Sequence, residues 1–132
     1  MACLFCSIVA GDIPARRVYE DDHAIAFLDI NPWKRGHTLV IPRRHVDDLL
    51  DADEALTEIA PAIGTVARLL TERLDSDGLN LLSNTGAVAG QEVFHLHVHL
   101  VPRYAENPGL RRLLDHDSPI DIDEVYAALT AS

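Results

Sequence analysis

The chain has 132 residues, 48% of them hydrophobic, and a formal net charge of −10. Length and apolar share suit one domain with its own core over 1–132, and the charge excludes a nucleic-acid backbone as the expected partner. No apolar run approaches the length of a bilayer span, the opening residues lack a basic-then-apolar leader, and two cysteines do not make a disulfide framework. The expectation is a cytoplasmic protein with no membrane partner.

In chain order, Leu4, Phe5, Ile8 and Val9 have the spacing of a short helix over Cys3 to Ala10, which Gly11 ends. Asp12-Ile13-Pro14 reads as a turn or extended connection. Arg17 to Glu20 and His23 to Ile30 read as strands separated by Asp21-Asp22. A loop over Asn31 to Gly36 precedes a third strand, His37 to Pro42. Between Asn31 and His45 lie Lys34, Arg35, Arg43 and Arg44 with no acid. The acidic run that follows, from Asp47 to Glu58, reads as a solvated helix start. Leu56, Ile59, Ile63, Val66, Leu70 and Leu74 predict the main helix over Asp53 to Leu74, with a kink or break at Pro61 and Gly64. Asp75 to Gly78 stops it. A fourth strand follows over Leu79 to Asn84, then a loop to Gly90, and a fifth strand over Phe94 to Arg103. A short helix from Asp123 to Thr130, capped by Asp121, closes the chain. Strands joined by turns too short for parallel crossovers make this α+β, with an antiparallel sheet of about five strands, one long helix on a face and short terminal helices.

In the fifth strand His95, His97 and His99 alternate with apolar residues at the period of a β-strand, placing the imidazoles on one face and Phe94, Leu96, Val98 and Leu100 on the other. Three rings in register are poor packing material, because each has two nitrogens that need partners when buried. A metal site and a nucleophile site remain. Strand rise separates His95 and His97 by about 6.6 Å and His95 and His99 by about 13 Å at Cα, so one zinc with bonds of about 2.0–2.1 Å does not suit all three. At least one ring is left for other chemistry. A neutral imidazole, fixed through one nitrogen, can attack phosphorus with the other. Charge on the non-bridging oxygens must then be neutralised and the leaving atom protonated. His99, His37, Gln91 and Asn84 are candidates for those tasks. Cys3-x-x-Cys6 alone reads equally as a redox pair, half a zinc site or coincidence.

The segments Gly36-His37-Thr38-Leu39-Val40-Ile41-Pro42 and Ala89-Gly90-Gln91-Glu92-Val93-Phe94-His95-Leu96-His97-Val98-His99-Leu100-Val101 together resemble the histidine-triad (HIT) family of nucleotide hydrolases and transferases. The opening Cys3 to Pro14 and Ala26 to Ile30 are similar to its nucleotide-binding branch, and the resemblance runs from Cys3 to about Tyr104, leaving 105–132 as a tail. The resemblance implies His97 as nucleophile, with His99 and His37 binding phosphate and assisting the leaving group. It implies Asp29 on the ribose diol, Asn84 and Gln91 on the phosphate, and a base pocket of Leu4, Phe5, Ile8, Ile13, Phe27 and Ile30. It also implies a structural zinc on Cys3, Cys6, His45 and His95, not required for the chemistry, and a homodimer. Glu92 departs from the small hydroxyl residue common at its place. His23 and His116 read as surface residues.

The leading expectation is hydrolysis of purine nucleoside phosphoramidates or related adenylylated compounds through a nucleotidyl-His97 intermediate. A dinucleoside polyphosphate hydrolase, a zinc-dependent hydrolase and a nucleotide-binding interaction module are the alternatives.

Overall fold

The computed structural model describes residues 3–117 and 119–132; Met1 and Ala2, the first residues of the segment read for a leader, lie outside these. Its elements are α1 (Leu4–Val9), β1 (Arg17–Glu20), β2 (Ala24–Leu28), β3 (Thr38–Pro42), α2 (Ala55–Leu74), β4 (Gly78–Leu82), β5 (Val98–Arg103) and α3 (Ile122–Thr130). Short 3₁₀ turns at Leu49–Asp51, Ala87–Ala89 and Leu110–Arg112 were not anticipated from the sequence. The strands form one five-stranded sheet in the order β1-β2-β3-β5-β4, every neighbouring pair antiparallel.

Burial follows that order. The inner strands β2, β3 and β5 are buried along their whole length, and the edge strands β1 and β4 are not. Ala24, Ala26, Leu28, Val40, Val98 and Leu100 pack beneath Ile59, Ala62, Val66, Leu70 and Leu74 of α2, with Val125 and Leu129 of α3 closing the layer. On the other face, Ile25, Phe27, Leu39 and Ile41 pack against Phe5 and Ile8 of α1. The long helix therefore covers one face, as the apolar spacing implies, and α1 covers part of the other.

The helix ends follow local chemistry. Cys3 caps α1, its sulfur accepting from the amide of Cys6 at 3.4 Å. The Asp121 carboxylate accepts from the Glu124 amide at 3.1 Å, the cap expected for α3. Asp75 ends α2 in the left-handed conformation.

Two expectations need correction. The break at Pro61 and Gly64 does not occur, since α2 is one helix of 20 residues. Pro61 lies on the exposed side with Thr57, so the Thr57 carbonyl that loses its amide partner faces water. The fifth strand begins at Val98, not Phe94. With Val40 opposite Val98 and Leu39 opposite His99, the continued register would set Leu96 against Pro42, which has no N–H to offer. The Leu96 amide donates instead to the Val46 carbonyl at 2.7 Å. Phe94, expected on the core face, is 48% exposed.

Candidate functional site

The residues before β5 keep the alternation although they leave the ladder. Leu96 is buried with Ala52 and Ala55 at the start of α2, while His95, His97 and His99 all lie on the α1 face, where Phe5 meets His95 and His97 edge-on. A cleft of about 870 Å³ opens there, within the range usual for small-ligand sites. His97, His99, Asp29, Asn84 and Glu92 line it, together with Leu4, Phe5, Ile8, Ile13, Phe27 and Ile30.

Hydrogen bonds fix the tautomer of each ring. His97 Nδ1 lies 2.8 Å from the carbonyl of His95, which can only accept, so Nδ1 carries the proton and Nε2 keeps its lone pair. Ser83 steadies this residue by donating its hydroxyl to the His97 carbonyl at 2.7 Å. The backbone amide of Trp33 donates to His37 Nδ1 at 3.1 Å. His37 Nε2 is therefore the protonated nitrogen, and it donates to His99 Nδ1 at 2.9 Å. That leaves His99 Nε2 as a donor on a ring that lines the cleft. Trp33 stacks flat on His99 with centroids 5.0 Å apart and lines the cleft as well.

Burial holds all three rings neutral. It pushes His37 down to about 3, helped by the charges of His116 and His97, and His99 down to about 4, helped by His37 and His97. His97 is lowered chiefly by burial, with the His95 carbonyl and the Asp29 carboxylate pulling the other way. A neutral His97 near pH 7 is a usable nucleophile.

Asp29 Oδ1 accepts from the Asn31 amide at 2.8 Å, and Oδ2 lies 3.7 Å from His37 Nε2, leaving lone pairs for a ligand. Asp29, His37 and His99 place donor atoms close together, but the tautomers just described put hydrogen on the nitrogen between the rings, so the group does not suit a cation.

Gln91 is placed differently from the expectation. It is buried, its Oε1 accepts from the Gly86 amide, and its Nε2 donates to the carbonyls of Asp47 and Val93. It braces the loop before the triad and has no amide hydrogen left for a phosphate.

Cys3, Cys6, His45 and His95 converge beside α1, the one group of four metal-ligating side chains among the described residues. His95 Nε2 donates to the Pro42 carbonyl at 2.8 Å and His45 Nε2 pairs with Asp47 at 2.7 Å, so both Nδ1 atoms carry lone pairs. They face each other at 3.2 Å, with Cys6 Sγ 3.3 Å from His45 and both sulfurs 3.5 Å from His95. Bonds of about 2.0–2.3 Å at a tetrahedral ion require donor separations of roughly 3.3–3.8 Å. The donor set fits zinc in type and spacing.

Several cleft residues carried no sequence signal. His116, read as a surface residue, is exposed but forms part of the cleft wall. Its approach depends on tail docking that spacing cannot reveal. His23 is a surface residue, 3.8 Å from Glu58.

This sheet, with imidazoles on the α1 face and an apolar cleft beside them, is the architecture of histidine-triad proteins. The chain belongs to the HIT family: the HIT domain model matches residues 10–106. Protein hit of Bacillus subtilis is 40% identical over 132 residues, covering 96% of this chain and 91% of its own. A zinc-bound histidine triad family protein from Mycobacterium smegmatis superposes with a TM-score of 0.87 at 42% identity, covering 99% of this chain and 92% of that one. A HIT family hydrolase from Clostridium thermocellum superposes with a TM-score of 0.71 at 36% identity, covering 82% and 96%. No described helix is long and apolar enough to cross a membrane.

Proposed function

We propose that the chain is a nucleotide hydrolase or transferase acting at the α-phosphate of purine nucleoside phosphoramidates or related adenylylated compounds. The observation that carries this reading is the His97 Nδ1–His95 carbonyl bond, which leaves an unprotonated Nε2 on a cleft-lining ring. Nε2 attacks phosphorus, the P–N bond breaks, and a nucleotidyl-histidine forms that water then hydrolyses. His99 Nε2 donates to the non-bridging oxygens, held in aim by His37. The departing amine takes its proton from water in the open cleft, with the His99 Nε2–H beside it as a hydrogen-bond donor. Asp29 accepts from the ribose diol, the base lies among Phe5, Ile8, Ile13, Phe27 and Ile30, and Asn84 contacts the phosphate.

The M. smegmatis relative is described as zinc-bound, and the donor geometry supports the same ion here on Cys3, Cys6, His45 and His95. Zinc would supply a structural cross-link between α1, the segment after β3 and the residue preceding the 96–97 peptide. A homodimer is part of the same reading, in keeping with the exposed Leu81 on edge strand β4.

The test is steady-state hydrolysis of adenosine 5′-phosphoramidate. His97→Ala is expected to lower AMP release by at least about 10³-fold with the fold intact. Near-parental turnover by that variant overturns the proposal.

A further inference from the structure

Lys34 is a charged side chain only 1% exposed. Its ammonium contacts the Asp115 carbonyl, the Trp33 carbonyl at 3.3 Å and the Asp117 carboxylate at 3.4 Å. A buried ammonium is costly unless its donors are met, and two of these three acceptors come from the tail. The Asp117 amide also donates to the Trp33 carbonyl at 3.1 Å, and Asn107 Nδ2 holds the Asp117 carboxylate from the other side at 3.3 Å. Residues 115–117 are thereby strapped to the loop that carries Trp33.

His116 sits within this strap. Its Nδ1 lies 3.0 Å from the Pro32 carbonyl and must donate to it, which leaves the lone pair on Nε2. Among the described residues that nitrogen has no hydrogen-bond partner. Held at the Pro32 carbonyl, the ring lines the same cleft as Asp29, Asn31 and Trp33, which stand either side of Pro32 in the chain.

We propose that His116 is a specificity-determining residue on the sugar side of the cleft, its Nε2 accepting a hydrogen bond from the one ribose hydroxyl of a ribonucleoside 5′-phosphate whose hydrogen Asp29 does not take, and that Lys34 holds it there. The tail beyond the triad thus reads the sugar. The inference rests on the nucleotide reading above.

Calorimetric titration with AMP, 2′-deoxy-AMP and 3′-deoxy-AMP separates the two. His116→Ala should weaken AMP binding about three- to tenfold, the range of one neutral hydrogen bond. The deoxynucleotide lacking the contacted hydroxyl should bind parent and variant alike. His116→Gln, which restores an acceptor, should recover part of the loss. Lys34→Met should reproduce the AMP effect, its fold checked by circular dichroism; if it unfolds, the exposed His116 variants decide alone. Unchanged AMP affinity in His116→Ala overturns the inference, as does an equal loss for all three nucleotides. A parent protein that binds no AMP overturns the nucleotide reading itself.

Discussion

Replacing Phe5 with alanine tests how the fold conditions the chemistry. Phe5 is 5% exposed and touches Phe27 with centroids 5.5 Å apart, His95 at 6.0 Å and His97 at 5.1 Å with the rings perpendicular. Phe→Ala in a packed core costs about 3–5 kcal/mol. Here the cleft lets water reach part of the vacated space, so the low end applies, about 3 kcal/mol. For a chain of this length, about 4 °C per kcal/mol makes a fall in Tm of about 12 °C. The same change removes apolar cover from His97, whose imidazolium is disfavoured chiefly by burial. Its pKa should rise toward the ordinary histidine value, moving the acid limb of the kcat/KM profile to higher pH. Thermal denaturation at matched zinc content and NMR titration of the His97 ring measure the two effects. Phe5→Leu, which keeps most of the cover, should show smaller versions of both. A Tm within about 3 °C of the parent, or an acid limb that stays or moves to lower pH, refutes the link between α1 packing and the state of His97.

Three further outcomes are expected. Cys6→Ser should abolish stoichiometric zinc, and a chelator should lower the Tm of the parent while leaving that of the variant unmoved; zinc content unaffected by the substitution contradicts the assigned ligands. In metal-free protein, stability should fall as pH drops below about 6.5, because the unfolded chain protonates His37 and His99 while the folded one holds them to about 3 and about 4. The slope is at most about 3 kcal/mol per pH unit for two such groups and fades toward pH 3; urea midpoints equal at pH 7 and pH 5 contradict it. Gly36→Ala should destabilise by about 2–4 kcal/mol, since Gly36 has a φ of +90° and a Cβ there would stand 2.4 Å from Leu74 Cδ1. An unchanged Tm would show that the loop before His37 shifts freely.

The triad was legible because strand alternation is written directly in side-chain order, and the five strands and the long helix follow from apolar spacing, whereas the strand order β1-β2-β3-β5-β4 rests on long-range pairings that spacing does not carry. Where the strand began was not legible: it depends on Pro42 lying opposite Leu96, a long-range pairing. Gln91 matched a phosphate-contacting place in the motif, yet the local loop takes both its amide hydrogens. The chain's own break signal at Pro61 failed because the freed carbonyl lies on the solvent side of α2. Lys34 read as part of a basic run, and only the docked tail turns it into a buried clasp. His116 had no neighbours in sequence that could mark it, since its partner is the carbonyl of Pro32.

The most direct measurement is a rapid quench of the protein mixed with adenosine 5′-phosphoramidate, followed by proteolysis and mass mapping under conditions that preserve phosphohistidine. The account predicts an adenylyl group on His97 that forms and decays at rates consistent with turnover. An adduct confined to another residue, or turnover with no adduct and undiminished by His97→Ala, contradicts it.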